Sequence, residues 1–301
     1  MYIAAEVAAA LHDRRPVVAL ESTLITHGLP WPENAATALA MEAAVRESGA
    51  VPATIGIIAG RITVGLTPEQ IEDFARRPFG SVRKCSRRDL PIVVARGEDG
   101  ATTVAGTMIV AHRAGIRVFG TGGIGGVHRG APFDVSADLM ELGRTPVAVV
   151  CAGPKAILDL PLTMEVLETH GVPVIGLGTD TLPGFYTRSS GLPIDARVDT
   201  PREAAAIVAA AERLDARHGV LIVVPVPAAD ESTTDVDLAI EGALADADAQ
   251  HVRGKAVTPF LLKRVAELSG GASLRTNQAL LVHNARTAGL IARELSALQQ
   301  A

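Results

Sequence analysis

Seven short apolar runs, most of them followed by a helix-like stretch, constrain this chain more than any other feature. They are Pro16–Leu20, Pro52–Gly60, Pro91–Ala95, Ile116–Phe119, Val147–Cys151, Val172–Gly178 and Gly219–Val224. Their apolar, often β-branched residues stand at consecutive rather than alternate positions, so the strands they form must be covered on both faces. Helical stretches alternate with them: Ala4–Asp13, Glu33–Ser48 closed by Gly49, a helix opened by the Thr67/Gln70 capping box, Thr102–Ala114, Ser136–Leu142, Leu160–Gly171 and Pro201–Arg217. Asp235–Gln250, Pro259–Leu268 and Asn277–Gln299 add a helical C-terminal third, and Arg61–Leu66 reads as a short antiparallel arm. Such βα alternation predicts an α/β fold, a three-layer α/β/α sandwich around a mostly parallel mixed sheet. No linker, repeat or low-complexity tract divides the 301 residues, so one domain over 1–301 is expected. The Gly-, Pro-, Ser- and Thr-rich stretch Thr179–Asp199 reads as a lid or a crossover.

Composition narrows the function. A net charge of −5 argues against general nucleic-acid binding, which needs a basic face. Aromatics at 3% argue against a site built on stacked rings as well. Two cysteines, Cys85 and Cys151, fit reduced thiols in the cytoplasm better than a disulfide framework. No secretory leader pattern opens the chain, and no apolar run reaches the roughly 18 residues of a membrane span.

The densest chemistry lies in VFGTGGIGGVHRGAPFDVSAD, Val118–Asp138. Glycines 120, 122, 123, 125 and 126 follow a strand and leave backbone N–H groups open to an anion. Asp134 and Asp138 then offer hard oxygen ligands for a divalent cation. The loop also matches G-x-G-x-x-G as Gly120, Gly122 and Gly125, which makes a dinucleotide site the first rival. That fingerprint needs an immediate helix and a later acid; the chain has Val127–Pro132 and then Ala152-Gly153-Pro154-Lys155, which supply neither.

Two further features carry charge to the strand ends. Glu21 directly follows the first buried run, where α/β sheets place their chemistry. Arg83, Lys84, Arg87 and Arg88 form a basic cluster suited to phosphate. Basic residues are otherwise strongly biased, with 24 arginines and four lysines: Lys84, Lys155, Lys255 and Lys263. A lysine kept in a glycine-rich loop, as Lys155 is, is a candidate for work that arginine cannot do. Imine formation is such work, because it needs a deprotonated amine and a guanidinium stays charged.

ALEST (Ala19–Thr23), PATIGIIAG, KCSRRDLP, the stretch Asp99–Met108, TGGIGGVHRG, FDVSADL, CAGPKAILDL and TPFLL together resemble the pseudouridine-5′-phosphate glycosidase family, from about residue 3 to 297. The resemblance implies an indigoidine synthase A-like fold, a divalent cation (usually Mn²⁺) and a homotrimer. It also implies reversible cleavage of the C–C glycosidic bond of pseudouridine 5′-phosphate to uracil and ribose 5-phosphate. Carried onto this chain, it makes Lys155 the Schiff-base lysine, Glu21 the general acid/base and Asp134 the metal ligand. Lys84, Val104, Ser136, Ala137 and Asp138 become substrate contacts, and Asn277 becomes the residue that reads the uracil edge. The chain departs from the family at Val224-Pro225-Val226-Pro227, where an Asn-Pro-x-Pro run is usual and an amide is lost from substrate positioning. Rival readings are a lysine-dependent aldolase-type lyase on a sugar phosphate, a dinucleotide-dependent oxidoreductase and a non-catalytic sugar-phosphate binder.

Overall fold

The computed structural model describes residues 1–232, 236–252 and 254–300. Its strands are β1 (Tyr2–Ile3), β2 (Val17–Leu20), β3 (Val51–Ile58), β4 (Arg61–Val64), β5 (Arg83–Cys85), β6 (Gly100–Thr102), β7 (Val118–Gly120), β8 (Val127–His128), β9 (Ala131–Val135), β10 (Ala148–Cys151), β11 (Leu158–Asp159), β12 (Val174–Leu177), β13 (Ala196–Val198) and β14 (Val220–Val223). The helices are α1 (Ala5–His12), α2 (Glu33–Glu47), α3 (Pro68–Arg76), α4 (Leu90–Arg96), α5 (Val104–Ala114), α6 (Ala137–Leu142), α7 (Leu160–Thr169), α8 (Pro201–Arg213), α9 (Val236–Ala249), α10 (Val257–Leu268) and α11 (Ala272–Gln300). The helix expected over Asp235–Gln250 is α9; Asp235 itself lies outside the described residues.

The large sheet runs β1-β4-β3-β2-β7-β10-β14-β12-β13, with β6 beside β3 and β5 beside β6. Only the β3–β4 and β3–β6 pairs are antiparallel. Every residue of β2, β10 and β14 is buried, as consecutive apolar runs demand. Alternate residues point to opposite helix layers. Val18, Leu20, Val150 and Ile222 pack with residues of α2, α8 and α11. Val17, Ala19, Val149, Cys151 and Leu221 pack with α1, α5, α6 and α7. That division is the three-layer α/β/α sandwich. Each buried Leu, Ile or Val contributes about 1.5–3 kcal/mol by leaving water.

Strand register positions the site. Leu20 aligns with Gly120, and Gly120 with Val150, so the carboxyl ends of β2, β7 and β10 form one rim. The chain leaves β2 for β3 on one side and passes from β7 to β10 on the other. The crevice between β2 and β7 is therefore a topological switch point, where open α/β sheets take ligands.

One expected strand is a helix. Pro91–Ala95 lies in α4, which has Pro91 in its first turn and Gly97 in the left-handed conformation at its end. Leu90 and Val93 are buried while Ile92 and Val94 are exposed, a spacing of three that a helix satisfies and a two-face-buried strand does not. The glycine loop leads not into a helix but into the β8–β9 hairpin, which with β11 forms a small separate sheet. Without a helix N-terminus behind the glycines, the dinucleotide reading loses its phosphate site.

Candidate active site

Glu21, Lys84, Val104, Asp134, Ser136, Ala137, Asp138, Lys155 and Asn277 all line one cavity of about 610 Å³ over the switch point. Glu21 stands one residue beyond β2 and is 8% exposed. The register of β2 and β7 sets Thr121 beside it, and the Thr121 hydroxyl donates a short hydrogen bond to Glu21 Oε1. Asn284 of α11 fixes this turn by donating from Nδ2 to the carbonyls of Thr121 (2.9 Å) and Gly122 (3.3 Å). Burial pushes the Glu21 carboxyl above its ordinary range, against the Lys155 charge and the Thr121 hydrogen bond, which favour the ionised form.

Lys155 follows β10 on a turn that Gly153 makes at φ +87°, a conformation that favours glycine. Its Nζ donates to the Gly123 carbonyl at 2.9 Å, which holds the amine over the glycine loop. The Arg129 guanidinium braces the same turn from outside, donating to the carbonyls of Ala156 (2.9 Å) and Leu158 (3.1 Å). Phe185 adds a buried wall.

Three N–H groups of the glycine loop are committed within the fold. Ile124 N donates to Gly153 O, Gly125 N to Asp138 Oδ2, and Val127 N to Thr163 Oγ1. Its glycines also allow close approach: a Cβ on Gly125 would run into Ser136. Asp138 is accordingly a tie between segments, since its other oxygen accepts from Ala105 N at 2.9 Å. It joins the start of α5, which bears Val104, to the glycine loop.

The basic cluster divides. Lys84, Arg87 and Arg88 line the cavity, joined by Arg144 and His170 from distant parts of the chain. Arg83 does not line it; neighbouring strand residues face opposite ways, and its Nε pairs with Glu98 Oε2 at 2.8 Å. Lys84, Arg87, Arg88 and Arg144 thus give the cavity wall a cationic lining. Leu262 and Pro259 of α10 and Leu281 of α11 make another part of its wall apolar.

Asp134 is an exposed β9 carboxylate at the cavity edge, close enough to His128 to act on its charge. Burial and the charges of Lys84 and Lys155 push His128 below its ordinary range against the pull of Asp134. Among the described residues, no three His, Cys, Asp or Glu side chains converge on a metal position. This donor set does not fit the closed cage of a zinc site. It fits a hard divalent ion that takes one carboxylate and keeps most of its waters.

Val224 and Val226 are buried in the core and do not line the cavity. Val224 N donates to Cys151 O at 2.8 Å, and the Val226 carbonyl accepts from Arg188 Nη1 at 2.7 Å. The departure read in the sequence therefore lies behind the cavity wall.

Fold and cavity together define an α/β protein with a small-molecule site at the carboxyl ends of parallel strands, an acid and a lysine near each other and further cations in its wall. The chain belongs to the indigoidine synthase A-like family, whose model, described as indigoidine synthase A like protein, matches residues 6–294. It is 55% identical over 293 residues to a pseudouridine-5′-phosphate glycosidase of Hahella chejuensis, covering 96% of each chain. It is also 55% identical to one of Geobacillus kaustophilus, covering 97% of each. Among solved structures it resembles the prealnumycin C-glycosynthase AlnA in complex with ribulose 5-phosphate, at 44% identity and a TM-score of 0.89, over 99% of this chain and 97% of that one. An indigoidine synthase A-like protein from Thermotoga maritima is similar at 37% identity with the same TM-score, over 98% and 96% of the two chains.

Proposed function

We propose that this protein is an enzyme that reversibly cleaves the C–C glycosidic bond of pseudouridine 5′-phosphate, giving uracil and ribose 5-phosphate. The observation that carries this reading is the meeting of Glu21 and Lys155 in a cavity with Lys84, Arg87, Arg88 and Arg144 in its wall. Relatives of that name, 55% identical over nearly the whole chain, support the substrate.

A carbon leaving group offers no lone pair to protonate, so the paired carboxylates of ordinary glycosidases fall short. A lysine supplies another route. Glu21, whose carboxyl burial shifts towards the protonated form, gives its proton to the ribose ring oxygen as the ring opens. The Lys155 amine adds to C1′. Its nitrogen lone pair then forms the C1′=N bond while the C1′–C5 pair leaves with the uracil C5, which takes up a proton. Water hydrolyses the imine, releasing ribose 5-phosphate and the free lysine. Lys84, Arg87, Arg88 and Arg144 bind the 5′-phosphate, Val104 and Ser136–Asp138 hold the sugar, and Asn277 reads the uracil edge against the apolar wall of Leu262 and Leu281. An aldolase-type lyase would use the same lysine and cations; uracil release separates the two.

Asp134 would hold the divalent cation, manganese in this reading, which supplies charge stabilisation at the substrate oxygens. Uracil release from pseudouridine 5′-phosphate is expected with added Mn²⁺, to fall at least tenfold in excess chelator after verified metal removal, and to return on adding Mn²⁺ back. Full activity in chelator would remove the metal from this account.

The same reading makes the enzyme a cytoplasmic homotrimer. The two buried cysteines, Cys85 and Cys151, suit a reducing compartment, and no helix among the described residues is long and apolar enough to cross a membrane. Sedimentation equilibrium should give three times the 31.2 kDa chain mass; a single chain mass at micromolar concentration would contradict it.

A further inference from the structure

Glu141 is a carboxylate that the reaction above does not use, and it is wholly buried. It lies in α6, within two turns of Ser136, and its side chain reaches back to the turn between β5 and α4. Arg87 grips it as a fork, Nε to Oε2 at 2.8 Å and Nη2 to Oε1 at 2.6 Å. Arg144 reaches Oε2 at 3.5 Å, and the Thr145 hydroxyl donates to Oε1. Both guanidiniums line the cavity, whereas Glu141 itself does not. Their side chains keep 46% and 43% of their surface open. One carboxylate thus orders two arginines from segments more than fifty residues apart and still leaves a net positive charge. Each guanidinium carries five N–H groups, so neither is exhausted by the contact.

We propose that Glu141 is the positioning residue of the phosphate-binding end: it holds Arg87 and Arg144 in the cavity wall so that their remaining N–H groups and Lys84 together recognise the 5′-phosphate. This rests on the assignment of a sugar 5-phosphate as ligand, though not on the cleavage step. An arginine not so held would bind phosphate only after ordering a long side chain, and affinity would fall by that cost. A purely structural ion pair would instead join α6 to the α4 turn, and its loss would weaken every substrate alike.

Glu141→Gln keeps the shape and removes the charge. With native and variant proteins of similar melting temperature, calorimetric titration with ribose 5-phosphate should show the dissociation constant rising roughly tenfold to a hundredfold, the range expected for charge-assisted hydrogen bonds. Binding of unphosphorylated ribose should stay within a factor of about two. In an Arg87→Gln/Arg144→Gln background, the Glu141→Gln change should add nothing further. If Glu141→Gln fails to fold, Glu141→Asp, which keeps the charge and shortens the reach, takes its place with the same phosphate-selective loss expected. Equal weakening of ribose and ribose 5-phosphate, or an undiminished affinity for ribose 5-phosphate, would overturn the proposal. Native protein that binds ribose 5-phosphate but releases no uracil from pseudouridine 5′-phosphate would sink the reaction proposed above and leave this assignment standing.

Discussion

Lys155→Arg lowers the turnover number on the order of 10⁴-fold or more, as loss of the nucleophile does in other covalent catalysts. The substitution preserves positive charge and approximate length, and a guanidinium could still donate to the Gly123 carbonyl that Lys155 Nζ meets at 2.9 Å. What it removes is an amine able to lose its proton and form a double bond to carbon. Phosphate-end contacts are untouched, so ribose 5-phosphate should bind within a few-fold of native. Single-turnover uracil release checks this, and activity within tenfold of native would show that the lysine is not the nucleophile.

Glu21→Gln should cost between about 10² and 10⁴ in turnover, the range of a lost general acid–base group. The amide fits the same space and can still accept from Thr121, so the loss isolates proton transfer. It should spare imine formation with a sugar whose ring is already open, because that step needs only the lysine. A companion substitution tests the environment. Burial raises the Glu21 pKa, and the Thr121 hydroxyl partly opposes this by stabilising the ionised form. Thr121→Val removes the donor, so the pKa rises further. The limb of the pH–turnover profile set by Glu21 should then move to higher pH; a move to lower pH would contradict the assignment.

The layered fold was legible because buried parallel strands must be apolar at every position, and PVVAL and VAVVC obey that rule without ambiguity. PIVVA obeys it too and is nonetheless a helix. Residue type alone could not separate burial of Leu90 and Val93 from burial of the whole run. The two-residue strands β8 and β11 are too short to show a period, and they build the sheet beside the glycine loop. Glu21 and Lys155 stood out as candidates through chemistry, one by its place after a strand and the other by the scarcity of lysine, and the fold brings both to one cavity.

Their supports were not legible. Thr121 inside a glycine run looks like a spacer until β2 and β7 fall into register. Glu141 looks like an ordinary helix glutamate until Arg87 and Arg144 fold around it. Four consecutive-looking cations read as one cluster, yet strand geometry turns Arg83 towards Glu98 and away from Lys84. Glycine density suggested free amides, but not that the N–H groups of Ile124 and Gly125 would serve Gly153 and Asp138.

The central claim is that Lys155 forms a covalent bond to C1′ of the sugar, and the most direct test is reductive trapping. Native protein incubated with ribose 5-phosphate and borohydride should gain the mass of one reduced sugar phosphate, and peptide mapping should place it on the peptide bearing Lys155. Lys155→Arg should gain none at that site. An adduct confined to Lys84, Lys255 or Lys263, or no adduct in protein that actively releases uracil, would contradict the mechanism.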